Sequence, residues 1–247
     1  MYRRNYLYIN GENQERIKNF HILIGGCGLG SVIAECALRL GFENICIVDG
    51  DKVELSNLNR QNYIRADIGK IKVESLKERL LQINQNASIE AIPEFLTKEN
   101  IIGYLDKGFD VAINTIDFTS DIPFLFDKIC CGYNIPVLHP LNLGWGGSVI
   151  VIDQHSKKIN ELQPDYNGFE LCMAQHILKE LNQIGRYPYY LSDVLIEYSR
   201  IKKQGVSPPQ LSVGSFLTAS ICTTLMYDLC LKKSVKTFPE IYFEAVS

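Results

Sequence analysis

Along the first 150 residues, short apolar runs alternate with segments whose apolar positions recur every three or four residues. The runs at 21–25, 44–49, 88–92, 110–115 and 136–139 are brief and mostly rich in valine, isoleucine and leucine, the pattern of strands buried on both faces. Between them, 30–40 (closed by Gly41), 70–83, 98–105 and 122–131 read as helices. Strand and helix alternating at this spacing predict βαβ units and a mostly parallel sheet. After Pro140 the rhythm changes. Gly144-Trp145-Gly146-Gly147 leads into a strand at 148–153, and a polar stretch follows. Helices are predicted at 169–184 and 192–203, then an apolar helix at 213–230 beyond Pro208-Pro209, and a last strand at 240–245.

The predicted fold is α/β: a doubly wound, mostly parallel sheet with helices on both faces, a C-terminal antiparallel extension and a crossover excursion. One domain is expected over 1–247, with an N-terminal arm at 1–19, a core at 20–153, the excursion at 154–210, and a C-terminal helix and strand at 211–247. The excursion has too few apolar residues for a core of its own.

Composition narrows the class. The chain has 247 residues, 46% hydrophobic and 21% charged, a globular balance that excludes a disordered or collagen-like chain. Twenty-five Lys+Arg against 28 Asp+Glu give a net charge of −3. No global basic field therefore draws nucleic acid or an anionic membrane, although a local basic groove is compatible with this total. The N-terminus carries no apolar run of signal-peptide length. The longest apolar stretch, 211–231, is interrupted by serines, threonines and Asp228, which suits a buried helix better than a membrane span. A soluble, cytoplasmic protein is expected.

The candidate chemistry begins where the first strand ends. Gly25-Gly26-Cys27-Gly28-Leu29-Gly30 runs straight into a helix, and Asp49 stands at the end of the second strand, nineteen residues past Gly30. Glycines let the backbone turn sharply against a phosphate, the free N–H groups of the helix favour its charge, and an acid at Asp49 can accept from ribose hydroxyls. This is the Rossmann-like pattern of a nucleotide site, and by itself it does not distinguish NAD, FAD, a methyl donor or ATP. Cys27 occupies the second glycine position of the strict G-x-G-x-x-G frame. A side chain there obstructs a pyrophosphate unless Gly26 and Gly28 carry the turn. The next stretch, from Asp49 through Asp51 and Asn57 to Arg60-Gln61, is too polar for core. Arg60 offers a planar fork to phosphate, and Asn57 and Gln61 offer neutral donors.

Asp49-x-Asp51 followed by Ser56-Asn57-Leu58-Asn59-Arg60-Gln61 resembles the hallmark of the ThiF/MoeB/HesA adenylyltransferases, bacterial relatives of ubiquitin-activating enzymes. The likeness extends to Arg4-Asn5, to Gly69-Lys70-Ile71-Lys72 and to Thr115-Ile116-Asp117, in family order over residues 4–117, and more weakly through 135–153. The resemblance implies ATP-dependent adenylylation of a carboxylate, with a ubiquitin-like protein or peptide C-terminus as substrate and a homodimer as the assembly. By the same resemblance Asp49 holds the ribose, Asp117 holds Mg2+, Asn57, Arg60 and Lys72 surround the phosphates, and Arg4 reaches the ATP of the neighbouring subunit. Phe118 stands where the family commonly has asparagine.

Two of these positions also have a reading from the residues themselves. Val73, Leu76, Leu80 and Ile83 form one helical stripe, and at ~100° per residue Lys72 lies ~60° from its centre against ~100° for Lys70. Lys72 is therefore better placed to aim inward. Asp117 follows a strand's carboxyl end, where a metal-bound nucleotide needs an acid; the competing role is a helix N-cap. The eight cysteines form no C-x-x-C, so no zinc is expected. Most read as core, and Cys172, one helical turn from His176, reads as a half-buried helix residue. The four histidines show no metal-ligand spacing. Trp145 either covers a bound peptide tail or seals the sheet. Three alternatives remain: a family member acting on a modified tRNA nucleoside, an NAD-dependent oxidoreductase, and a non-catalytic adaptor of the same fold.

Overall fold

The computed structural model describes residues 1–202 and 206–245. Residue 203, the predicted end of the second excursion helix, lies outside them. Seven strands form one sheet: β1 (His21–Gly25), β2 (Asn44–Val48), β3 (Ser88–Ile92), β4 (Val111–Asn114), β5 (Val137–Leu143), β6 (Gly146–Ile152) and β7 (Tyr242–Ala245). Their order is β3-β2-β1-β4-β5-β6-β7. The first five pair in parallel, and β6 and β7 extend the sheet in antiparallel register. The order reverses between β1 and β4, and ligands of doubly wound sheets bind outside the carboxyl ends of strands at such a point.

Alternation along the strands divides the core. Ile22 and Ile24 face one apolar cluster, shared with α1 (Gly11–Asn19), α2 (Leu29–Leu40), α3 (Lys72–Ile83) and α8 (Ser212–Cys230). Leu23 faces the other, shared with α4 (Lys98–Leu105), α5 (Ile122–Gly132), α6 (Phe169–Gln183) and α7 (Tyr189–Ile201). The expected helices on both faces and antiparallel extension are therefore present. By length and composition α8 could cross a membrane, but half of it is buried, and it packs on α2, β5 and β6 as a core helix.

Several boundaries moved for identifiable reasons. Within the predicted N-terminal arm, α1 forms behind an Asn10 cap that accepts from the Asn13 N–H at 2.8 Å. It buries Ile17 alone, so periodicity carries no signal for it. α3 starts at Lys72 instead of Lys70 because Ile71 is held in an antiparallel bridge with Lys52. β5 and β6 run on until Leu143 pairs with Gly146. Gly144, at φ 74°, supplies the left-handed residue that a two-residue hairpin turn needs. Trp145 stands at that hairpin tip, 54% exposed, so it does not seal the sheet.

Candidate functional site

At the carboxyl ends of β1 and β4 lies a cavity of about 1010 Å³, at the top of the roughly 300–1,000 Å³ range of small-molecule sites. One half is polar, built by the glycine loop, the stretch after β2 and the end of β4. The other is largely apolar, built by α6, α7 and the β5–β6 hairpin.

The loop after β1 turns at Gly26, whose φ of 89° favours glycine and whose missing Cβ would sit 2.5 Å from the Thr115 carbonyl oxygen. Gly25 and Gly30 are buried behind it, each so tightly packed that a Cβ would meet Leu96 at 2.8 Å or Ile24 at 2.7 Å. Gly28 precedes α2 and faces the cavity beside Gln61. Cys27 does not obstruct this turn. Its side chain is fully buried in the core, and burial, then the Asp49 charge, push its thiol well above the usual range. The glycines on either side are the residues that line the cavity. Gly26→Ala should therefore cost about 1–3 kcal/mol of stability from φ strain alone, with nucleotide affinity lost alongside it. Urea unfolding and nucleotide titration of the variant measure the two effects, and a variant as stable as the wild type would contradict this reading of the loop.

Asp49 is buried and holds the loop. Its carboxylate accepts from the Cys27 N–H at 2.6 Å and the Asp51 N–H at 2.8 Å. Asp49 lines the cavity, and each of its oxygens can accept a further hydrogen bond, as from ribose hydroxyls. Lys72, 8% exposed, donates from Nζ to Asp51 at 3.0 Å. Burial would lower its pKa, but Asp49, Asp51 and Asp117 outweigh that and hold it raised. Lys70 instead pairs with Asp67 at the surface. Asp117 opens to the cavity and is not a helix cap, since α5 begins at Ile122 behind Asp121. Burial, with Asp51 and Asp49, raises its pKa against the opposing pull of Lys72 and Arg60.

Asn57 is buried, and its Oδ1 accepts from the Glu54 N–H at 3.0 Å, leaving the amide nitrogen for a ligand. Arg60 donates from Nε to Gln210 Oε1 at 2.6 Å, and from one terminal nitrogen to Ser56 O and Asn59 Oδ1. Gln61 Oε1 is buried without a partner beside Gly28. An orphaned amide next to a glycine cradle suits a polar ligand against the loop. Thus Gly26, Gly28, Asp49, Asp51, Asn57, Arg60, Gln61, Lys72 and Asp117 line one cavity, whereas the predicted Gly25 and Gly30 are buried behind the loop and Arg4 lies elsewhere. Arg4 is exposed in a short helical turn (Arg3–Asn5) whose neighbours Tyr2 and Asn5 donate to Leu38 and Leu40 carbonyls. That is the far end of α2, about 18 Å of helix from the glycine loop.

Among the described residues no three His, Cys, Asp or Glu side chains converge as a metal cage. A cation beside Asp117 would take its other ligands from phosphate and water, as Mg2+ does in nucleotide sites. The residues present fit that group.

Other cavity residues had no clear signal in the sequence. Glu170, in the first turn of α6, has a carboxyl pushed up to about 7 by burial and by Asp117. Beneath the cavity, Asp127 accepts from Asn114 Nδ2 at 2.8 Å and pairs with His139 Nε2 at 3.0 Å, both partners buried. A lone acid inside the apolar run 122–131 was the available sign of such a network. Phe118 packs on Phe169 at 4.3 Å and on Phe124 at 5.4 Å. Its departure from the family's asparagine is thus part of the wall formed with α6. Cys172 is half-buried with Sγ 3.9 Å from the Leu162 carbonyl, and among the described residues no cysteine lines the cavity.

Comparisons with known proteins bear on the family and the fold. The profile of the ThiF family matches residues 2–241. The tRNA threonylcarbamoyladenosine dehydratase of Bacillus subtilis is 34% identical over 137 residues, 55% of this chain and 54% of its own length. The molybdopterin-synthase adenylyltransferase of Haemophilus influenzae is 28% identical over 172 residues, 69% of this chain and 68% of its own. The chain spans about half or less of the dehydratases it matches. Among solved structures, PaaA superposes with a TM-score of 0.68 at 22% identity, covering 95% of this chain and 72% of that one, which shows the fold.

Proposed function

Because the chain belongs to the ThiF family, we propose that it adenylylates a substrate carboxylate with ATP, releasing pyrophosphate and leaving an acyl adenylate. The observation that carries this reading is the convergence of Gly26, Asp49, Asn57, Arg60, Lys72 and Asp117 on one cavity at the switch point of the sheet. The glycine loop and the N-terminus of α2 receive phosphate, and Asp49 accepts from the ribose. The substrate carboxylate, already ionised at neutral pH, attacks the α-phosphorus without a protein base. Lys72 and Arg60 neutralise charge that develops there, and Arg60 is oriented by Gln210. Asp117 would hold Mg2+, which when bound neutralises the phosphate oxygens. Arg4, at the far end of α2, would serve the cavity of a second copy in a homodimer.

The substrate we favour is the C-terminus of a ubiquitin-like protein or a peptide, because the apolar half of the cavity gives an acyl chain room beyond the nucleotide. A modified tRNA nucleoside is the second reading, favoured by the relatives named tRNA threonylcarbamoyladenosine dehydratase. The test is a titration with ATP and with NADH, then ATP–pyrophosphate exchange in separate arms containing Gly-Gly-terminated small proteins, free peptides and bulk tRNA. ATP should bind, NADH should not compete, and one arm should support exchange. NADH bound in place of ATP, or no exchange in any arm, overturns the proposal.

A further inference from the structure

The two halves of the cavity differ in kind. The polar half is spoken for by a nucleotide, whereas the half beneath α6 and α7 presents aromatic and aliphatic side chains and one carboxylate, Glu170. Phe169 packs on Phe118, the residue after Asp117, which brings the start of α6 beside the segment that follows β4. On the α7 side, the Glu170 charge acts on Tyr198. The influences on the Glu170 carboxyl are burial and Asp117, with no protein cation among them. Burial disfavours its charge, and a ligand cation would offset that cost.

A carboxylate in a cavity that aromatic side chains also line can receive an ammonium or guanidinium group: the acid supplies the counter-charge, and any ring whose face meets the cation adds attraction through its quadrupole. A role limited to the α6 dipole would be served as well by an acid facing solvent at the same turn, whereas Glu170 lines the cavity together with Phe118 and Tyr198.

We infer that this half of the cavity selects an acyl substrate carrying a positive charge close to its reactive carboxylate, with Glu170 receiving that charge. The inference rests on the adenylylating reading of the cavity. It makes Glu170 a specificity-determining residue, and it predicts that a peptide tail with a basic residue beside its terminal position is preferred to its neutral isostere.

The experiment titrates the full chain, with Mg·AMPCPP present, against three acetylated tetrapeptide acids. These are identical except for lysine, norleucine or glutamate next to a terminal glycine. On the wild type the lysine peptide should bind about tenfold more tightly than the norleucine peptide, about 1.4 kcal/mol. In the isosteric Glu170→Gln variant the two should fall within about twofold, and Glu170→Lys should reverse the order toward the glutamate peptide. Equal affinities on the wild type, no binding by any peptide at millimolar concentration, or a lysine preference that survives in Glu170→Gln overturns the inference. A variant that shifts the Mg2+ requirement for AMPCPP binding while leaving peptide preference intact also overturns it, since Glu170 would then serve the metal. AMPCPP binding itself separates the two readings. Its absence removes the adenylylation proposal, whereas its presence without cation preference removes only this inference.

Discussion

Replacing Lys72 by alanine should lower ATP–pyrophosphate exchange at least about a hundredfold, or about 2.7 kcal/mol of transition-state stabilisation. Among the described residues Lys72 is the buried cation of the molecule, and it acts on Asp49, Asp51 and Asp117 together. Without it, three carboxylates face the position that a triphosphate must enter, so nucleotide affinity and the chemical step both suffer. Asp117→Asn removes one negative charge and the candidate metal-holding oxygen, and should cost a comparable factor in exchange while weakening nucleotide binding less. Lys72→Arg keeps the charge but replaces a compact ammonium with a wider fork, so partial recovery is expected. Lys70→Ala, at a surface residue two positions before α3 that pairs with Asp67, should remain within about twofold of wild type. Exchange kinetics and calorimetric titration with Mg·ATP on the four variants make the comparison. Lys72→Ala with undiminished exchange would remove the lysine from the site.

Asp127→Ala is expected to be the most destabilising substitution in the site's foundation, costing about 3–5 kcal/mol. Asp127 and His139 are 5% and 3% exposed, and the carboxylate satisfies both His139 and Asn114. Truncation leaves buried His139 Nε2 without its partner and leaves Asn114 Nδ2 only the Pro123 carbonyl, to which it donates at 2.9 Å, at a buried position where an unmet hydrogen bond is costly. For a chain of this length the loss corresponds to a midpoint drop of roughly 10 °C. The damage should spread to function, since Asn114 Oδ1 also accepts from the Ile116 N–H at 3.3 Å, one residue before Asp117. Asp127→Asn keeps one acceptor and should lose less. Thermal and urea unfolding decide the matter: an alanine variant within about 1 kcal/mol of wild type would mean that the network contributes little.

The strands at 21–25 and 88–92 and the helix at 98–105 were legible to the residue, because each is a short run whose burial pattern is set locally. Lys72 was legible from the angle it makes with its own helix stripe. Asp49 and the glycine loop were legible because a turn between strand and helix needs glycine at a particular φ. The obstruction expected from Cys27 was not realised, since which way a side chain leaves a tight turn depends on the core behind it. The hairpin through Trp145 reads as a glycine-flanked loop because Pro140 and the glycines break the strand pattern, although the two adjacent strands pair directly across it up to Leu143 and Gly146.

What the amino-acid order determined alone was the alternation of strand and helix, the polar stretch after Asp49 and the acid that closes β4. Period, turn chemistry and strand ends are properties of neighbouring residues. The tertiary structure decided that α6 and α7 lie over the switch point, that Glu170 shares a cavity with Asp117, and that Asp127 finds His139 across an intervening strand connection. Those contacts join residues 12 to 53 positions apart in the chain. Only the packing of helices against a twisted sheet brings them together, and no local pattern encodes the direction in which a crossover returns.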